Sequence, residues 1–301
     1  MMETERQITI GLPDGRHLGA ALFGSGNVPF LFFHGLGGSR LSPGWMFPAC
    51  MLQQVGVRLV AMDRPGFGLS TAGQGLGFAR YSGDAAALAD QLGIRRFGVI
   101  GVSMGAAFAY ACAAAHPEQV TSVVILSGMG PVNGHKRIRV GNKADSAFWQ
   151  LARRAPWLLK PLCGLTASMT LAAARGDPAK VRQRMQRSTS GPDQQTLQAL
   201  LADPEVLPAF LEDLRESYRQ KGAGMAGDLV RYSHPWDFRL EDVTQHVTLW
   251  HGTDDPKVPV ELARRAASNL PHCDARFVPG GHLAACDHVH EIMKTLATGP
   301  T

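Results

Sequence analysis

Residues 97–115 read FGVIGVSMGAAFAYACAAA, a short apolar run of buried-strand type followed by an alanine-rich run of helical character. Ser103 is the polar side chain at the junction, where a strand turns sharply into a helix. Such a turn strains its central residue, and a Cβ two positions to either side would collide with the neighbouring strand and helix; Gly101 and Gly105 meet that demand. Gly101-Val102-Ser103-Met104-Gly105 is therefore read as a nucleophile elbow, with the strand before it and the helix after it as the context that makes the pattern informative. The stretch carries no charge, but glycines and a serine interrupt it and its apolar period changes midway. It reads as two buried elements and not as a membrane span.

Around this stretch the chain alternates. Residues 7–10 and 17–23 flank Pro13-Asp14-Gly15 and predict an opening hairpin. Residues 28–33, VPFLFF, read as a strand buried on both faces, running directly into His34-Gly35-Leu36-Gly37-Gly38. A helix over 44–55 leads to a strand over 57–62 and a tight loop, Asp63-Arg64-Pro65-Gly66-Phe67-Gly68-Leu69-Ser70. A helix over 80–92 precedes the elbow strand, and residues 119–126 return to strand. Strict strand–helix succession predicts an α/β fold with a mostly parallel sheet covered on both faces. From Pro131 to about Trp236 the rhythm breaks into helical segments such as 144–160, 178–187, 193–201 and 206–220, which predicts an inserted helical cap over 131–240 between core segments 1–130 and 241–301. Residues 246–250 resume the sheet, 260–268 read as helix, 273–278 as the last strand and the segment after His282 as helix to about 297.

Composition bounds the class. A chain of 301 residues with 45% apolar and 18% charged side chains suits one large globular domain, or a core with a smaller insertion. The opening MMETERQ has no apolar stretch behind its charges, so cytoplasmic residence is the expectation. Five widely spaced cysteines without C-x-x-C argue against a disulfide framework and a zinc knuckle, and read as small packing residues. The net charge of +5 is uneven: residues 131–190 hold twelve Lys or Arg against Asp145 and Asp177, a local balance of +10 that leaves about −5 elsewhere. That excess is read as solvated helix faces in preference to a surface steering anionic substrates or polyanions. No aromatic-interleaved basic motif is present, and neither nucleic acid nor membrane is expected as a partner.

A serine hydroxyl is a weak nucleophile at neutral pH and needs a base within reach and an acid to orient that base. Downstream of Ser103, the acid pair Asp254-Asp255 follows a predicted strand, and Pro279-Gly280-Gly281-His282 follows the last one. Each candidate thus lies at the carboxyl end of a strand, where open α/β sheets place their chemistry. Asp255 is preferred over Asp254 for its spacing to Val258-Pro259. His34 and His251 each open a His-Gly turn and read as structural, and His288 and His290 as solvated or packing residues of the closing helix. Asp287, His288 and His290 make a poor metal set, because alternate positions on a helix do not face one another. Neither a metal nor a cofactor is expected. The backbone N–H of Met104, at a helix start, and that of Leu36, between glycines, are the candidate donors to an oxyanion.

The His34-Gly35-Leu36-Gly37 loop, Asp63 to Ser70, the elbow, Gly252-x-x-Asp255-x-x-Val258-Pro259 and Gly281-His282 together resemble the α/β-hydrolase superfamily with an inserted cap. The resemblance spans about residues 7–297 and implies an eight-stranded, mostly parallel sheet and a Ser103–His282–Asp255 triad. Residues 218–239 are similar to bacterial members that re-enter the core through a Pro-Trp pair. Haloalkane dehalogenases and epoxide hydrolases of this fold carry an aspartate at the elbow, so Ser103 sets this chain apart from them. The implied function is a serine hydrolase of carboxylesterase type, acting on a small molecule with an apolar acyl or alcohol part. Carbon–carbon bond hydrolysis or other non-ester acyl chemistry by the same triad is the alternative, and a catalytically slow ligand-binding protein is a third reading.

Overall fold

The computed structural model describes residues 6–73, 77–132, 140, 143–189 and 191–298. Eight strands, β1 (Arg6–Gly11), β2 (His17–Phe23), β3 (Val28–Phe33), β4 (Val57–Met62), β5 (Phe97–Val102), β6 (Val120–Leu126), β7 (Val247–Gly252) and β8 (Cys273–Val278), form one sheet in the order β1-β2-β4-β3-β5-β6-β7-β8. The opening hairpin pairs antiparallel, Arg6 opposite Leu22, and β2 joins β4 antiparallel; every later pairing is parallel. The elbow strand β5 therefore lies between β3 and β6, well inside the sheet.

Period-two alternation sorts the core into two layers. Leu31, Phe33, Val60, Met62, Val99, Val123 and Ile125 face one side, where they pack against α3 (Phe78–Gln91), α4 (Ala106–Ala115) and α11 (Val260–Asn269). Phe30, Phe32, Leu59, Ala61, Ile100, Val124 and Leu126 face the other, with Leu52 of α2 (Ala49–Gln54) and Ile292, Met293 and Leu296 of α13 (Val289–Thr298). Continuous apolar runs such as VPFLFF are thus explained, since both faces of these strands are covered.

Between β6 and β7 run α5 (Lys143–Arg154), α6 (Leu159–Ala173), α7 (Pro178–Ser188), α8 (Gln194–Leu200), α9 (Val206–Ser217) and α10 (Ala223–Ser233). Ala174, Val181, Leu201, Leu207 and Leu211 give these helices a small apolar cluster of their own. Several expected boundaries shift. The helix expected over 44–55 is broken at Pro48 into α1 (Pro43–Met46) and α2. The one over 144–160 ends at Arg154, ahead of Pro156; the one over 206–220 ends at Ser217; the closing helix divides into α12 (Ala284–Asp287) and α13. Two helices, α6 and α10, were not legible. Sequence LKPLCGLTASMTLAA in α6 contains Pro161 and Gly164 and has no polar face to reveal a period, and α10 starts abruptly after Gly222, whose φ is +76°. The five cysteines are free thiols; Cys112 and Cys163 are buried as expected of packing residues, whereas Cys50 is exposed.

The return to the core is aromatic. Trp236 of the Pro235-Trp236 pair stacks on Phe238 at 5.2 Å and meets Phe78 edge-on at 5.6 Å, while Tyr232 meets Phe78 at 5.1 Å. These contacts pin the end of α10 against α3.

Candidate active site

Ser103 adopts φ of +50°, a left-handed conformation that costs a side-chain-bearing residue about 1–2 kcal/mol. The flanking glycines are obligatory in space. A Cβ on Gly105 would lie 2.0 Å from the carbonyl oxygen of Phe33, and one on Gly101 would lie 2.8 Å from Cα of Ala106. Strand β3 and helix α4 thus close on the turn from both sides, and a single helical turn (Ser103–Gly105) carries the chain into α4.

His282 and Asp255 come together across 27 positions of sequence, Nδ1 to Oδ2 at 2.7 Å. The other carboxylate oxygen, Oδ1, accepts from the N–H of Lys257 at 2.7 Å and of Val258 at 2.9 Å, which orients the whole group. Burial pushes the Asp255 carboxyl up, but the His282 hydrogen bond and the backbone donors outweigh it and leave its pKa below the ordinary value, so the group is an anion at neutral pH. A carboxylate on Nδ1 requires the proton there, which leaves Nε2 of His282 as the acceptor. Asp254, the rival acid, instead accepts from the Thr253 hydroxyl at 2.9 Å.

The loop after β6 ties the serine and histidine segments together. Met129 N–H donates to the Ser103 carbonyl at 3.0 Å, and Ser127 Oγ donates to the His282 carbonyl at 2.7 Å. Gly35 closes the third side: a Cβ there would stand 3.3 Å from Cβ of Ser103. The loop bearing Leu36 therefore abuts the serine, and Leu36 itself is partly exposed. Met104 is buried in the larger apolar cluster, with its N–H in the first turn of a helix, where donors lack intrahelical acceptors.

The remaining histidines are placed by their partners. His34 is fully buried; its Nε2 accepts from Arg64 N–H at 3.2 Å and its Nδ1 donates to the Gly35 carbonyl at 2.9 Å, while burial and the Arg64 guanidinium hold its pKa well below the usual range. His251 is also buried, lies 3.5 Å from Oδ2 of Asp255 and donates to the Val258 carbonyl at 2.9 Å. His288 packs on Trp250 at 5.0 Å. Among the described residues no three His, Cys, Asp or Glu side chains converge as metal ligands.

Sequence reading missed a buried network that holds the Leu36 loop and the elbow from α10. Arg64 donates to the carbonyls of His34 and Gly35, and its guanidinium lies 2.6 Å from Oδ2 of Asp228, both side chains fully buried. Tyr232 Oη donates to the Met104 carbonyl at 2.5 Å and accepts from Ala107 N–H at 3.3 Å. Asp213 of α9 gathers four donors, Ser39 N–H, Ser39 Oγ, Ser42 Oγ and Trp45 Nε1, at 2.6–2.9 Å. Burial lifts its carboxyl to about 6 against the pull of those hydrogen bonds. Asp193 accepts from the N–H of Leu283, next to His282, at 2.7 Å. No local pattern flags these residues, since each partner lies 90 or more positions away, apart from the pair Arg64 forms within its own neighbourhood of His34.

An apolar cavity of about 400 Å³ lies among the intervening helices, with Trp45 and Leu283 in its wall beside Val181, Leu201, Phe210 and Leu211. Leu283 links it to the histidine loop.

Comparison with known proteins identifies the fold. A family model for the alpha/beta hydrolase fold matches residues 28–289. A 2-hydroxy-6-oxononadienedioate/2-hydroxy-6-oxononatrienedioate hydrolase of Pseudomonas sp. is 26% identical over 88% of this chain and 85% of its own. Among solved structures, an alpha/beta hydrolase fold protein from Nakamurella multipartita superposes with a TM-score of 0.71 at 22% identity, covering 97% of this chain and 98% of that one. The esterase RhEst1 from Rhodococcus sp. superposes at 0.64 with 20% identity, covering 99% of both chains. With its eight-stranded sheet, its serine at a left-handed turn and a family match over most of its length, this chain belongs to the alpha/beta hydrolase fold family.

Proposed function

We propose that the chain is a serine hydrolase of carboxylesterase type, with Ser103 as nucleophile, His282 as general base and acid, and Asp255 holding the imidazole. The observation that carries the reading is the 2.7 Å contact from Asp255 to Nδ1 of His282, because it fixes the tautomer that leaves Nε2 free to take a proton. In this reading Ser103 Oγ attacks the ester carbonyl and its proton passes to Nε2. The tetrahedral oxyanion accepts from the N–H groups of Leu36 and Met104. Collapse expels the alcohol, which leaves with that proton, and a water molecule activated by the same nitrogen hydrolyses the acyl-enzyme and restores Ser103.

Residues 131–240 would act as the cap of this site. Their own apolar cluster, the Asp193–Leu283 hydrogen bond and the cavity bounded by Leu283 support that role, and the cavity wall suits an apolar acyl or alcohol group. A cytoplasmic, small-molecule role accords with the sequence expectation.

The test is turnover of nitrophenyl esters by the wild type and by Ser103→Ala, with an expected loss of about 10⁶ in kcat. Activity surviving within tenfold would refute the assignment. The relative from Pseudomonas favours a second reading, carbon–carbon bond cleavage by the same three side chains. A panel setting nitrophenyl esters against vinylogous diketones separates the two, since the preferred class should lead in kcat/KM.

A further inference from the structure

Among the described residues five large apolar side chains are exposed, and four of them fall between 157 and 169: Trp157 at 74%, Leu162 at 40%, Leu165 at 59% and Met169 at 64%. The fifth is Leu36, in the candidate site. Leu162, Leu165 and Met169 follow one another at spacings of three and four along α6, so they share one face, while Leu159, Cys163 and Ala167 are buried on another. Trp157 stands just before the helix begins. An outward stripe of this kind has a purpose more often than a scatter of single apolar residues does.

The stripe lies in a basic setting. From Arg153 to Arg187 the sequence holds eight Lys or Arg and one acid, Asp177. Arg153 and Arg154 precede the stripe in sequence and Arg175 follows it, all three exposed, whereas Lys160 falls on the other side of α6 and lines a groove with Trp157 and Ala226. Two such faces would repel each other, which argues against a second copy of the chain as the occupant. Apolar side chains with a tryptophan near one end, and exposed cations before and after them in the chain, complement a surface that offers both anionic headgroups and an accessible hydrocarbon boundary.

We propose that the outer face of α6 docks on an anionic lipid bilayer, with Trp157, Leu162, Leu165 and Met169 entering the headgroup boundary and Arg153, Arg154 and Arg175 on the phosphates. This is surface docking: no single helix among the described residues is long and apolar enough to cross a membrane. It departs from the expectation of no membrane partner and from the reading of the basic excess as solvated helix faces. The remainder of the chain, about −5 in charge, is repelled by the same surface and orients the molecule with α6 toward it. The docking is independent of the chemistry proposed for Ser103.

The test is flotation of the full chain with vesicles of phosphatidylcholine and phosphatidylglycerol at 3:1, against pure phosphatidylcholine, in low and high salt. The protein is expected to float with the anionic vesicles in low salt and to be released by high salt. Replacing Trp157→Ser, Leu165→Ser and Met169→Ser together should lower partitioning by more than tenfold with the thermal midpoint unchanged. Arg154→Gln with Arg175→Gln should lower it by about 25-fold, at about fivefold for each basic residue neutralised near the surface. Brominated lipid should quench the tryptophan emission of the wild type, and Trp157→Phe should abolish that quenching while binding persists. Failure to float with anionic vesicles in low salt would overturn the proposal, as would triple-variant binding equal to wild type. A dimer in sedimentation velocity that the triple variant dissolves, with no vesicle binding by wild type, would assign the face to a second copy instead.

Discussion

Removing the Asp228 carboxylate is the perturbation whose cost the structure sets most directly. Asp228 lies 2.6 Å from Arg64 and 2.7 Å from Arg231, and both its side chain and that of Arg64 are fully buried. The two guanidinium groups approach the same ring, Phe108, at 5.2 Å and 5.6 Å, and Phe67 lies 4.9 Å from Arg64. In Asp228→Ala the fully buried Arg64 would remain in a low-dielectric pocket without its carboxylate. Breaking a buried pair in this way costs about 3–5 kcal/mol, because the surviving charge keeps its desolvation penalty. Urea denaturation should show the midpoint falling by about 1–1.7 M for m of about 3 kcal/mol/M. As control, Glu241→Ala removes an exposed partner 3.5 Å from Arg239 and should cost less than about 0.5 kcal/mol. Ester turnover should fall as well, since Arg64 holds the carbonyls of His34 and Gly35 beside Leu36. A loss below about 1 kcal/mol for Asp228→Ala would refute the reasoning, for it would mean that water or a neighbouring group compensates Arg64.

The left-handed φ of Ser103 predicts an inversion of the usual order: Ser103→Gly should match or exceed Ser103→Ala by about 0.5–1 kcal/mol in stability, both being inactive, as denaturation midpoints will show. Asp213, with its carboxyl lifted to about 6 from 3.8, binds more protons in the folded than in the unfolded chain between those values, so its contribution to stability falls as pH rises through that window. Comparing the pH 4.5–6.5 stability slope of wild type with that of Asp213→Asn should show the wild-type decline steeper, by at most about 3 kcal/mol. Filling the cavity with Leu197→Trp should lower kcat/KM for long-chain esters by at least about tenfold while sparing short ones; equal loss on both would argue that the cavity does not hold substrate.

Most of the scaffold was legible from local pattern. Runs such as VPFLFF and QVTSVVIL mark strands buried on two faces, and Gly93, with φ of +70°, ends α3 where the sequence predicts a stop. Ser103, Asp255 and His282 stand out as candidates because each follows a strand and so opens on one edge of the sheet. Helix α6 escaped notice because amphipathic contrast is what reveals a helix, and its outer face is apolar too.

The amino-acid sequence by itself determined the order of strands and helices, the sharp turn at Ser103 and the candidates for its base and acid, since these rest on backbone sterics and on hydrophobic period within a few residues. Only the tertiary structure decided that Asp255 and not Asp254 meets the imidazole, that Arg64 is matched by Asp228, and that Tyr232 supports the carbonyl of Met104. The first follows from β7 and β8 lying side by side, the other two from how α10 settles against the sheet edge, and contacts between segments from 27 to more than a hundred residues apart leave no trace in any local window.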